Sequence, residues 1–368
     1  MADSTRDGFE PSSFECSSIN NKGDIAFRTA RPAKFGPVIL GVYRATADTK
    51  HLTTIFEVGG PGHGFDFLGQ NPCINDLGEV AFAVRQFSPT FVETQSIMIG
   101  GSKTTLIADT SGNFGPPPGF GNFGFEPTIN NRNVVPFKAE LANFPVDEGL
   151  FSSRDGRPIV QYYLSSTSPQ FSPSGSLSRP SINNFGTIAF EEGVDNPPPS
   201  SCSTISGIFV TNGTSSTAIA APASDICVDR PNINDLGTVA FHRFFNDRAG
   251  EELVTGTGGP LTVIADTAGP FASFGFYFGF VPPALNNKGQ FAFRADLDAG
   301  GRGIFTGTDP AANKVIQTGD TLDGAVITDL RFCDKGLNDS GQLVFQATFG
   351  TFGDPSFRVA IFRATPTP

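Results

Sequence analysis

Asn20-Asn21-Lys22-Gly23-Asp24-Ile25-Ala26-Phe27 decides the fold, because its pattern returns six more times: Asn-x-x-Gly, then an aliphatic residue, a small residue and Phe. The first Asn falls at Asn20, Asn75, Asn130, Asn183, Asn234, Asn286 and Asn338, in steps of 55, 55, 53, 51, 52 and 52 residues. Seven such units account for all 368 residues, so residues 1–368 read as one repeat domain. A period of this size belongs to solenoids, arrays and propellers.

Each unit carries four short apolar runs, here strands a to d, separated by Gly, Pro and Asn turns, which is the pattern of a β-meander. Strand a usually ends Pro-x-Ile-Asn, with Pro72, Pro127, Pro180, Pro231 and Pro283. Proline cannot donate to a ladder, so strand a should be the edge strand that faces the channel of a propeller. In the turn that follows, Asn bonds its own backbone and Gly takes the left-handed conformation. In the third unit Asn133 replaces that Gly, and Asn is the next most tolerant residue there. Strand b carries the repeat Phe, at Phe27, Phe82, Phe137, Phe190, Phe241, Phe293 and Phe345. Alternation puts Ile25 and Phe27 on one face and Ala26 and Arg28 on the other, so that large side chains meet small ones between neighbouring sheets. Pro136 interrupts strand b of the third unit, and a local irregularity is expected there.

The seventh unit runs out before a strand d, while Met1-Ala2-Asp3-Ser4-Thr5 resembles the tail of one, as in Ile107-Ala108-Asp109-Thr110. The termini should therefore meet and close a ring, which hides sheet edges. The expected fold is all-β, a seven-bladed β-propeller of four-stranded antiparallel blades; a β-solenoid is the other architecture weighed. With 38 Phe, 4 Tyr and no Trp, the chain fits neither WD40 nor kelch repeats, and Phe must fill the core.

The formal charge of −11 repels phosphate backbones and anionic lipid surfaces, which argues against a nucleic-acid partner. There is no run of about 18 apolar residues, so membrane insertion is not expected, and a monomer is. Five cysteines leave at least one unpaired. A disulfide between Cys202 and Cys227, across a Pro- and Ser-rich loop, and five free thiols both stand as readings.

Tandem Asn-x-x-Gly-x-(Val/Ile)-Ala-Phe resembles the bacterial NxxGxxAF tandem-repeat (choice-of-anchor) family over essentially the whole chain. The resemblance implies an extracytoplasmic or secreted protein and supplies no catalytic residues. The stretch Ala364-Thr365-Pro366-Thr367-Pro368 departs from that pattern in carrying no anchor.

In a four-strand meander the b–c and d–a loops share one face of the disc, opposite the Asn-x-x-Gly turns. The position after the repeat Phe holds Arg28, Ala83, Lys138, Glu191, His242, Arg294 and Gln346, a polar ring in six of seven units. The d–a loops add Phe65, Phe67, Phe123, Phe125, Phe276, Tyr277 and Phe278. Polar groups beneath an aromatic rim make a binding site for a small molecule, glycan or protein ligand. The opposing reading has the polar residues meeting solvent and the Phe residues packing between blades. Overall charge favours a neutral or zwitterionic ligand over a polyanion. An enzyme is the alternative, a lyase or cyclase acting on a polysaccharide or aromatic natural product, with His242, Arg294, Glu191 and Tyr277 as acid–base candidates. No metal site is expected from His51, His63 and His242, which lie in different units, and no cofactor fingerprint occurs.

Overall fold

The computed structural model describes residues 2–33, 38–48, 51–59, 66–88, 90, 92–115, 119–124, 126–142, 147–154, 158–164, 176–195, 204–223, 226–245, 250–275, 283–354 and 356–366. Seven antiparallel sheets of the a–b–c–d order form a seven-bladed β-propeller. The first blade runs Ser17–Ile19, Ile25–Arg31, Ile39–Ala45 and Leu52–Gly59. In the second, fourth and sixth blades strand a is split in two, as at Phe67–Leu68 and Cys73–Ile74.

The seventh blade borrows its outer strand from the N-terminus. Ala2–Asp3 pairs antiparallel with Arg358–Ala364, placing Ala2 opposite Ile361 and Asp3 opposite Ala360. Asp3 then caps the helix Ser4–Asp7 through the amides of Thr5 and Arg6 and meets Arg358 at 3.1 Å. Burial pushes its pKa up, but hydrogen bonds from the Thr5 hydroxyl, the Arg6 and Thr5 amides and the Arg6 guanidinium together outweigh burial and hold it below the usual carboxylate range. A disulfide between Cys16 and Cys333, 317 residues apart, joins the first and seventh blades beside the axis, a pairing the spacing of the cysteines did not suggest. Cys227 is also disulfide-bonded, whereas its expected partner Cys202 lies outside the described residues. Cys73 is free and buried.

The repeat motif works as the turn chemistry requires. Gly23, Gly78, Gly186, Gly237, Gly289 and Gly341 have φ between 75° and 89°, and Asn133 takes the same place at 58°. The repeat Asn does more than cap its turn. Each Oδ1 accepts two backbone amides of its own turn, as Asn20 does from Lys22 and Asp24. Each Nδ2 donates to the carbonyl of the corresponding Asn one blade on, from Asn20 round to Asn338 and back to Asn20, at 2.9–3.2 Å. A second closed ring lies beside it. The amide of Asn21, Asp76, Asn131, Asn184, Asp235, Asn287 and Asp339 donates to the side-chain oxygen of the next at 2.7–2.8 Å, a role only Asn or Asp fills at that position.

Between blades, large meets small. Ala26 packs with Val80 and Phe82 of the second blade, Ala189 with Val239 and Phe241, and Val344 with Ile25 and Phe27 across the ring closure. All seven repeat Phe residues are at most 4% exposed. The irregularity at Pro136 falls on its inner side. Strand b stays in register with strand c, Pro136 opposite Ser152, but residues 126–130 form no strand, because the position that would pair with Thr128 has no N–H. In the second blade the equivalent residues, Cys73 and Ala81, do pair.

Candidate functional site

The axis is filled in layers, set by register along strand a. Next above the Asn rings, Lys335 stands where five blades have proline, and its Nζ crosses to Ser181 Oγ at 2.9 Å and Asn232 Oδ1 at 2.6 Å. Burial pushes this ammonium below its ordinary pKa, and Asp334 opposes that shift. One residue further out, the position before the strand-a proline supplies Asn71, Glu126, Arg179 and Arg230, with Asp334 in the same register. These side chains join across the channel. Asn71 Nδ2 donates to Glu126 at 2.5 Å, Arg230 and Arg179 reach Glu126 at 3.3 and 3.8 Å, and Arg179 pairs with Asp334.

Above this layer, on the face of the b–c and d–a loops, opens a cavity of about 540 Å³. Phe67 and Leu177 supply apolar wall, Lys138, Arg179 and Arg230 are its cations, and Glu126 its carboxylate. Lys138 also meets Glu148 at 2.7 Å. Arg230 sits at φ 44°, a left-handed conformation disfavoured for a non-glycine residue and more so before a proline. The strand-a ladder bulges there, between Asp229 and Asn232, and the Arg230 amide lies 3.4 Å from Glu191 Oε2. Burial raises the pKa of that Glu191 carboxyl.

Of the polar ring after the repeat Phe, the cavity takes Lys138 directly, while Glu191 braces Arg230 from behind. Arg28, His242 and Gln346 are buried and committed locally rather than meeting solvent, while Arg294 is half-buried. Arg28, 7% exposed, pairs with Glu15 at 3.3 Å and stands 5.4 Å from the Phe67 ring centre. Gln346 donates to the Glu15 carbonyl. His242, 2% exposed, lies 3.1 Å from Glu251, whose carboxylate also accepts the Phe274 amide. Arg294 rests against Gly275.

Among the aromatics, Phe67 lines the cavity. Phe123 is core instead, edge-on to Phe137 at 5.5 Å, because its strand, Phe120–Phe123, turns it between the second and third blades. Phe271 and Phe274 likewise pack on Phe293. Phe65, Phe125, Phe276, Tyr277 and Phe278 lie outside the described residues. The residues missed in the sequence, Glu126, Arg179, Arg230 and Asp334, share a register as regular as that of the ring after Phe, one step before the strand-a proline. Among the described residues no cluster of three or more His, Cys, Asp or Glu is arranged to hold a metal, and no helix is long and apolar enough to cross a membrane.

In structure the chain is similar to a puromycin-hydrolyzing peptidase of Mycobacterium tuberculosis, with TM-score 0.55 at 12% identity over 96% of this chain and 51% of that one. A GH74 xyloglucanase from Xanthomonas campestris matches with TM-score 0.52 at 12% identity, over 94% and 54% of the two chains. Prolyl oligopeptidase B from Galerina marginata gives 0.55 at 11%, over 96% and 48%. The chain thus spans about half the length of these structures, and the likeness is one of fold. No curated protein matches it in sequence. Its sequence matches a family of unknown function, DUF7453, over residues 2–227 and again over 221–365, and the chain belongs to that family.

Proposed function

We propose that the chain is an extracytoplasmic binding module that takes a small-molecule ligand in the cavity on its b–c/d–a face. The cavity itself carries this reading: about 540 Å³, walled by apolar side chains, with a few charged groups converging on one side of the axis. Two disulfide-bonded regions support an oxidising compartment, as does the resemblance to exported NxxGxxAF repeat proteins.

The enzymatic alternative, a lyase or cyclase, has less support. His242 is tied to Glu251 away from the cavity, and Arg294 lies on the sixth blade, outside its lining. The peptidase and xyloglucanase neighbours share the propeller at 11–12% identity, which transfers no chemistry.

Ligand-observed NMR against a fragment library tests the reading with the wild-type chain and Gln70→Trp. Gln70 is an exposed cavity residue, so the indole should narrow the mouth without disturbing the fold. Binders lost in the variant at unchanged melting temperature are expected; binders indifferent to it would place the site elsewhere.

A further inference from the structure

We infer that the cavity selects a ligand with one carboxylate on an apolar body, the carboxylate meeting Arg230 and Arg179; this rests on the binding reading above. Three cations line the cavity against one carboxylate, Glu126. Behind the lining, Lys335 adds a cation and Glu148, Asp334 and Glu191 add carboxyl groups, the last pushed by burial toward its neutral form. The lining itself keeps its three-to-one excess of cations in a chain whose total is −11, a local reversal of sign that suits an anionic group on the ligand.

The arrangement of the guanidinium groups points the same way. Arg179 is fixed, 8% exposed, between Asp334 and Glu126. Arg230 is the accessible one, its side chain 35% exposed at the cavity. Both draw on Glu126, so an incoming carboxylate adds acceptor oxygens where two planar forks converge on one acceptor group. The backbone of Arg230 is held, by a bulge and by Glu191, in a conformation that the other described residues of its register do not take. Strain of this kind is retained where it aims a side chain. Phe67 and Leu177 in the same lining suit an alkyl or aryl body.

The test uses a set in which arylacetates, 3-arylpropanoates and medium-chain fatty acids are each paired with their own carboxamide and primary amine. Saturation-transfer NMR and calorimetry on the full chain read the binding. Carboxylates are expected to bind at least about ten-fold tighter than their carboxamides, the step for a hydrogen bond to a charged group. Arg230→Gln should erase that preference, and Arg230→Lys should restore part of it, with melting temperatures confirming that both variants fold. Carboxamides binding as well as acids, at a site that Gln70→Trp still blocks, would overturn the carboxylate inference and leave the binding module standing. Carboxylate binding insensitive to both Arg230 variants would also overturn it. If no acid, amide or amine binds, the inference fails, and a fragment screen that is equally silent takes the binding reading with it.

Discussion

The two ends of the channel are built from the same repeat and differ in how they use it. At the Asn-x-x-Gly end, seven Asn side chains make the same bonds and close a ring on themselves. At the b–c/d–a end, equivalent positions hold Asn71, Glu126, Arg179, Arg230 and Asp334, and the cavity lies off axis, lined by the second to fifth blades. Where symmetry is kept, each residue is explained by the blade beside it. Where it is broken, neighbouring blades alone do not explain the residue, and that is where a ligand is expected.

The contrast breaks most severely if the repeat itself is not structural. Phe190 is buried against Tyr163 and Phe209, at ring distances of 5.4 and 5.8 Å. Phe190→Ala should cost about 3–5 kcal/mol in chemical denaturation, and the other six repeat Phe positions similar amounts. A loss below about 1 kcal/mol at most of them would mean that the large-into-small interlock does not hold the ring.

The cavity end should also contain groups that oppose folding, and Glu192 is one. It is buried beside the Tyr163 hydroxyl, and burial pushes its pKa up to about 8 from an ordinary 4.5. Below pH about 4.5 both folded and unfolded chains hold the proton. Between about 4.5 and 8 only the folded chain does, so stability falls as pH rises and the full cost is present above about 8. Glu192→Gln should flatten this slope and stabilise the protein at pH 8 and above by on the order of a few kcal/mol. A pH profile of melting temperature unchanged by the substitution would show that the carboxyl is not neutral in the fold.

Most of the fold was legible because the turn, the strand-a proline and the repeat Phe each act within one blade or on its neighbour, over distances that a repeated pattern displays. Even the exchange of Gly for Asn133 followed from backbone sterics. The second Asx ring was also in plain sight, since the residue after the repeat Asn is always Asn or Asp, but its reason is a contact some 52 residues away. The site was less legible. Reading outward from the repeat Phe reached Lys138 and Glu191, whereas Arg179 pairs with Asp334 across the channel, 155 residues on, and no local spacing announces that. Phe123 misled because an aromatic in a d–a loop and one in a short inner strand look alike until the strand is placed.

At the symmetric end every change should cost stability. Asn183→Ala removes the bonds from the Phe185 and Thr187 amides to Oδ1 and from Nδ2 to the Asn234 carbonyl. The Asn234 carbonyl keeps the Gly237 amide, but the two turn amides lose their partner and the ring loses one buried link, for an expected loss of about 2 kcal/mol with carboxylate binding unaffected. If binding falls in step with stability, the two ends are coupled and the division drawn between them is wrong.

The finest comparison sets Asn133 against Arg230, two non-glycine residues with positive φ, 58° and 44°, one at each end. Glycine suits both backbones, but it removes different things. At Asn133 it deletes the acceptor for Asn75 Nδ2 at 2.8 Å, so Asn133→Gly should lose about 1 kcal/mol. That is still less than Gly78→Val, in which a β-branched residue must enter the left-handed region with its Cβ 2.7 Å from Arg44 Nη1. At Arg230 glycine relieves about 1–2 kcal/mol of backbone strain. Against this stand a partly exposed ion pair with Glu126 and the greater freedom of the unfolded chain, each worth up to about 1 kcal/mol. Arg230→Gly should therefore leave the melting temperature nearly unchanged while abolishing the preference for carboxylates over carboxamides. Thermal melts and calorimetry on the two glycine variants together decide the matter. If Arg230→Gly destabilises as much as Asn133→Gly and leaves binding intact, the strained arginine belongs to the scaffold, and the broken symmetry at this end has a structural cause.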